Sequence, residues 1–378
     1  MKYLIFSLFL INFILFNSLN CSFQISLFNE INKNKKGKNL IISPLSIFQI
    51  LSLTSNGAKS DTQLEMIQAL QGEDIDNLNS INYEILEIIQ NFKSVEIANS
   101  VMSKFTPLEE FLEIADQYCA PYEKLISAEQ VNNWCDEKTH GKIKKILDKL
   151  DSSVKMLLLN AVYFKGEWKD EFKESLTTKK PFYNLGAELK EVDTMRQLTH
   201  YLYYEDNKLQ AVQLPYKDDG MSALIILPRE NIDINKYIMS LESDNTNLNS
   251  LIKNLNNAKV NLELPKFELE FFTSLKEVLI DMGMEKAFTN NADFSGLREE
   301  NQLKIDDVLH KTYLKVDEKG TEAAAVTAVG GRVTSVAPQQ EIVYEMKVNR
   351  SFLFILRSNK LPVEYDILFI SKIENLSK

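Results

Sequence analysis

Few residues in this 378-residue chain could do covalent or metal chemistry. There are three histidines, His140, His200 and His310, and three cysteines, Cys21, Cys119 and Cys135. Neither set has the close pairwise spacing of a zinc site, so no metal or other cofactor is expected. A Ser-His-Asp hydrolase needs an imidazole beside an activated serine. No nucleophile elbow or phosphate-binding glycine loop occurs, so an enzyme is not the expected class. Cys119 and Cys135 could form a bridge or remain as two thiols, and their spacing does not choose between these.

One segment stands out by its chemistry instead. From Gly320 to Gln340 the chain reads GTEAAAVTAVGGRVTSVAPQQ, without the large apolar residues that would pin it to a core. A connection of roughly 20 residues inside a compact domain is most often functional or disordered. As a strand, its first half would place Thr321, Ala323, Ala325, Thr327 and Val329 on one face. Glu322, Ala324, Val326 and Ala328 would take the other. The first face is small and uncharged, so it could enter between packed strands, with Glu322 turned to water. Arg332 is the one basic residue of the segment.

The rest of the chain must hold this loop. With 44% hydrophobic residues it can bury a large core. Its net charge of −10 argues against nucleic acid or sulfated polysaccharide as the main partner. Lys2, the apolar run Tyr3–Phe16 and the small or polar residues to Ser22 form a secretory signal pattern. The run is broken by Ser7 and Asn12 and is shorter than the roughly 20 residues of a membrane span. Residues 1–21 are therefore expected to be a signal peptide, with residues 22–378 a single secreted domain that makes no membrane contact.

Helical periodicity marks Phe23–Asn32, Leu45–Asn56, Asp61–Leu70, Ile75–Asn91, Glu109–Tyr118, Glu129–Leu147 and Phe271–Met282. Ser43-Pro44 is a helix-start signal in which the Ser43 hydroxyl would accept from the first turn. Strand-like runs are Val95–Met102, Lys155–Phe164, Leu209–Leu214, Met221–Leu227 and Lys259–Glu268. Later come Leu303–Val316, Glu341–Tyr344, Ser351–Leu356 and Tyr365–Ile370. Met156–Phe164 is nearly all apolar, as suits a strand covered on both faces. Helices crowd the first half and strands the second, the pattern of one large mixed domain.

Val316-Asp317-Glu318-Lys319-Gly320-Thr321-Glu322-Ala323-Ala324-Ala325 closely resembles the reactive-loop hinge of the serpin family. Other stretches agree in serpin order. Asn39–Ser46, Asn132-Asn133-Trp134 with Thr139–Ile143, and Leu159–Trp168 are similar to family segments. So are Leu264-Pro265-Lys266-Phe267, Ala292–Leu297 and Val348–Phe354. The resemblance covers nearly everything after the signal peptide.

It implies a mixed α+β serpin fold of three β-sheets and eight to nine helices, with an exposed reactive-centre loop at about residues 318–340. It also implies a suicide inhibitor of serine proteases. The protease cuts the loop, forms its acyl-enzyme, and is trapped covalently when the cut loop inserts into the main sheet. Serpin loop insertion is itself a recognised case of strand addition. On this resemblance the hinge comprises Glu318, Gly320, Thr321, Glu322, Ala323, Ala324, Ala325 and Thr327. Ser43, Ser46, Asn160 and His310 match the polar cluster where the sheet opens, and Trp168 matches the tryptophan near the loop's entry. Family spacing counts the scissile bond at Thr334–Ser335, with Arg332–Val333 as the alternative for a trypsin-like target. Heparin-type activation is not expected, since Ile75–Val95 carries Glu84 and Glu87 and few basic residues. A non-inhibitory carrier, chaperone or storage serpin and a cysteine-protease inhibitor are the alternatives. The small hinge favours inhibition over the first.

Overall fold

The computed structural model describes residues 22–184, 189–242, 248–299, 303–321 and 341–376. The expected signal peptide, the hinge beyond Thr321 and both candidate scissile bonds lie outside these residues. The first elements are α1 (Phe23–Asn32), β1 (Leu40–Ile42), α2 (Pro44–Gly57), α3 (Ser60–Ala69), α4 (Ile75–Ile89) and β2 (Val95–Ser103). They are followed by α5 (Glu109–Gln117), β3 (Glu123–Lys124), α6 (Ala128–Lys138), β4 (Met156–Phe164) and β5 (Gly166–Glu167). Next come β6 (Thr178–Tyr183), β7 (Leu189–Glu205), β8 (Leu209–Pro215), β9 (Met221–Pro228), α7 (Ile234–Ser240) and α8 (Leu248–Lys253). The chain continues through β10 (Asn256–Pro265), β11 (Phe267–Ser274), α9 (Lys276–Asp281) and β12 (Asp307–Val316). It closes with β13 (Gly320–Thr321), β14 (Val343–Lys347), β15 (Phe352–Ser358) and β16 (Ile367–Ile373).

The fold is mixed α+β, with nine α-helices and three sheets among the described residues. A nine-stranded sheet runs β1-β16-β15-β9-β8-β7-β10-β14, with β6 paired to β7. A five-stranded sheet runs β11-β12-β4-β2-β3, and a two-stranded one joins β13 to β5. Helix α2 is buried along nearly its whole length and packs on β2, β4 and β16, tying the two larger sheets together. A helix buried on every side must satisfy its polar side chains internally. Its buried hydroxyls donate to carbonyls one turn back, Ser52 to Phe48 (2.8 Å), Thr54 to Ile50 (2.7 Å) and Ser55 to Leu51 (2.9 Å). All nine residues of β4 are buried, as its apolar run predicts.

Three elements differ from the sequence expectation. Helix α6 ends at Lys138 instead of reaching Leu147, because His140 and Gly141 take φ of 51° and 79°. The expected strand Lys259–Glu268 divides at Pro265-Lys266 into β10 and β11, which belong to different sheets. The expected helix Phe271–Met282 opens with the end of β11, and helix occupies only Lys276–Asp281. Short apolar windows at a strand-to-helix junction fit both periods. Cys119 and Cys135 are unpaired, the first exposed and the second buried.

Candidate functional site: a seam between two parallel strands

In the middle of the five-stranded sheet, β4 and β12 run parallel, in register from Asp307↔Leu157 to Tyr313↔Tyr163. Each has an antiparallel neighbour on its other side, β2 for β4 and β11 for β12. A strand entering this seam from the β13 end would be antiparallel to both of its new partners.

Behind the seam the structure brings together the four residues of the expected opening cluster, all fully buried. Asn160 and His310 lie opposite each other across it. The Ser43 backbone N–H donates to His310 Nε2 (3.2 Å). The imidazole proton therefore sits on Nδ1 and is donated to Asn160 Oδ1 (2.5 Å). Ser46 Oγ also donates to Asn160 Oδ1 (2.9 Å), and Asn160 Nδ2 donates to Asn99 Oδ1 (2.6 Å). Burial pushes the His310 pKa down to about 3, so the ring is neutral. Ser43 corrects one expectation: its hydroxyl accepts nothing from the first turn of α2, and its backbone makes the contact instead.

In front of the seam, Val131, Trp134 and Cys135 of α6 form a second apolar cluster with Leu157, Leu159, Tyr163, Leu309 and Tyr313. Lys311 ties the segment after α6 to the sheet. Its Nζ donates to the Lys145 carbonyl and pairs with Glu270 (2.6 Å).

The top of the seam holds the start of the expected hinge. Gly320 and Thr321 pair antiparallel with Glu167 and Gly166, just beyond the end of β4. Only glycine fits at 320, since a Cβ there would lie 2.0 Å from the Gly166 carbonyl oxygen. At 166 a Cβ would meet the Phe164 ring at 2.4 Å. Trp168 Nε1 donates to the Asp317 carbonyl (3.0 Å), and its backbone N–H donates to the Lys319 carbonyl (2.9 Å). Glu318 is buried between Lys266 Nζ (2.8 Å) and the Thr177 hydroxyl (2.7 Å). Desolvation pushes the carboxyl pKa up, but these two partners outweigh it and the net shift is downward.

Thr321 is fully buried, and its hydroxyl meets the Tyr216 hydroxyl at 2.8 Å. The Tyr216 ring stacks on Trp168 at 4.4 Å and meets the edge of Phe164 at 5.1 Å. At the loop's other end, Glu341 pairs with His200 Nε2 (2.6 Å) and Lys259 Nζ (3.0 Å). His200 and Lys259 are cross-strand neighbours on β7 and β10.

Sequence reasoning singled out Trp168, Glu318, Gly320 and Thr321, which the structure gathers at one end of the seam. It missed Tyr216, Lys266 and Thr177 as members of this group, because their partners come from distant strands and leave no local pattern. Glu84 and Glu87 are exposed on α4.

The serpin family model, described as serine protease inhibitor, matches residues 18–376. An uncharacterized serpin-like protein of Thermococcus kodakarensis is 32% identical, with 95% of this chain and 85% of that one covered. The leukocyte elastase inhibitor of Xenopus laevis is 33% identical over 89% of this chain and 94% of its own. The native crystal structure of the thermophilic serpin tengpin superposes with a TM-score of 0.84 at 33% identity, covering 94% of this chain and 92% of that one.

Proposed function

Because the chain belongs to the serpin family, we propose that it is a secreted, single-domain suicide inhibitor of serine proteases. The observation that carries this reading is the two-residue ladder between β13 and β5. Its pairing is antiparallel and lies on the line of β4, so the same register can continue down the seam. Ala323 would then face Phe164, Ala325 would face Val162, and Thr327 would face Asn160. Insertion would replace one parallel ladder with two antiparallel ones.

If about a dozen residues enter at roughly 1 kcal/mol net per hydrogen bond, the gain is on the order of 10 kcal/mol. That is comparable to the whole stability of a typical protease domain. In the continued register, Gly331 is the last loop residue opposite β4, facing Met156. A cut after Thr334 leaves the tethered protease just past the foot of the sheet. A cut after Arg332 leaves it two residues nearer.

The test mixes the protein with trypsin-, chymotrypsin- and elastase-like proteases, and with a papain-like cysteine protease. A complex that survives denaturing electrophoresis is expected with a serine protease. The released C-terminal peptide should begin at Ser335, while one beginning at Val333 selects Arg332. A stable complex only with the cysteine protease reassigns the target class. Cleavage by every protease without any stable complex overturns inhibition. Neither heparin nor a metal should be required.

A further inference from the structure

Tyr216 stands in none of the stretches that carry the family resemblance, yet it makes the one side-chain hydrogen bond described for Thr321. It reaches the top of the seam from the end of β8, where an isolated antiparallel bridge joins it to Trp168. Its ring is held by Trp168 on one face and Phe164 at an edge, so the hydroxyl has little freedom to leave Thr321. Both hydroxyls are buried, and desolvation raises the Tyr216 pKa well above the usual phenol range. The phenol is therefore always protonated and always able to share a hydrogen with Thr321. Thr321 occupies the leading position of the two-residue ladder that an inserted strand would extend.

We propose that Tyr216 is the positioning residue for loop insertion, holding Thr321 in its inserted place before any protease arrives. Starting a ladder is the costly step, because several torsions are fixed before the first bonds reward them. With Thr321 already seated, insertion only lengthens an existing ladder. The trapped acyl-enzyme then has less time to be hydrolysed. The kinetic consequence rests on the inhibitor reading; the seating of Thr321 does not.

The experiment is a double-mutant cycle of Tyr216→Phe and Thr321→Val in the full chain, with two readouts. Each single change strands one buried hydroxyl, whereas the double change removes both. The first readout, amide hydrogen exchange of the peptide spanning Gly320–Thr321, needs no protease. Each single variant should exchange about tenfold faster than the parent there, and the double variant should return to within about threefold. The second readout is the number of inhibitor molecules consumed per protease trapped. It should rise about three- to tenfold in each single variant and largely recover in the double, with the rate of initial attack unchanged. Thr321→Ser, which keeps a hydroxyl, should behave like the parent in both.

Unchanged exchange in Tyr216→Phe overturns the proposal, and so do additive effects of the two changes. Coupling in exchange without coupling in the partition overturns the kinetic half. If the parent traps no protease at all, the inhibitor reading fails, while the exchange cycle still decides whether Tyr216 seats Thr321.

Discussion

Asn160 and His310 face each other on two parallel strands, and the hydrogen bond between their side chains closes the seam from behind. That bond needs a proton on Nδ1, and the Ser43 N–H that donates to Nε2 needs this second nitrogen bare, so the ring must be neutral, which fixes the sign of a pH effect. His310 titrates near 3 in the folded protein, against about 6.5 when unfolded. Below pH 6.5 the unfolded chain takes up a proton that the folded one refuses. The stability associated with the neutral ring is therefore complete above pH 6.5 and is lost as pH falls towards 3. The slope is about 1.4 kcal/mol per pH unit from this residue. Denaturant titrations at pH 7, 6 and 5 should show it, and His310→Gln should flatten it across that window.

Gly320→Ala should interfere with docking of the hinge while leaving the rest of the fold intact. The added methyl collides with the backbone of β5, which has no side chain to move aside. A contact this close costs about 1–3 kcal/mol in a packed site. Attack on the loop should proceed at the parental rate, but several-fold fewer attacks should end in a trapped complex. Thr321→Arg should go further and behave as a plain substrate, since a charge has no place beside Tyr216. Undiminished complex formation by the arginine variant would refute the assigned hinge.

In the continued register, Thr327 arrives between Asn160 and His310. Neighbouring strands lie about 4.8 Å apart, so an entering strand parts these two side chains beyond hydrogen-bond reach. The Thr327 hydroxyl is the group then available to both. Thr327→Val should leave the uncut protein unchanged and lower the stability of the cut form by about 1–3 kcal/mol, the cost of buried polar groups left unpaired. Calorimetry of both forms measures the difference. An equal effect on the uncut protein would place Thr327 elsewhere.

Cys119 and Cys135 should differ sharply towards thiol reagents. Cys119 is exposed, whereas Cys135 is buried under α6 and burial pushes its pKa up to about 12. The native protein should therefore lose Cys119 rapidly and keep Cys135 until α6 lifts from the sheet. Thiol reductants should leave the melting temperature unchanged, because the pair forms no bridge.

Where the sequence was legible, one run of residues carried its own pattern. The apolar Met156–Phe164 reads directly as a doubly covered strand, and all nine of its residues are buried; the small face expected from Thr321 onward lies almost wholly outside the described residues. Cluster membership of Asn160 and His310 came from family spacing, since each occupies a strand that gives no hint of the other. The end of α6 was not legible, because the apolar period runs on through Ile143 and Ile146 while the backbone turns left-handed at His140. Nor was the role of Ser43, whose residue type suits a helix cap and whose backbone instead serves a ring 267 positions away. Tyr216 and Thr321 are 105 positions apart, and two-residue strands such as β5 and β13 are too short for any period to mark.

The chain contains only two tryptophans. Trp134 lies beneath α6 on the front of the seam, and Trp168 lies at its top against Tyr216. Both positions must rearrange when a strand enters. Intrinsic emission is thus an unlabelled optical record of insertion in two channels. Replacing either indole with phenylalanine would separate the lifting of the helix from the closing of the entry, and stopped-flow traces would give their order in time.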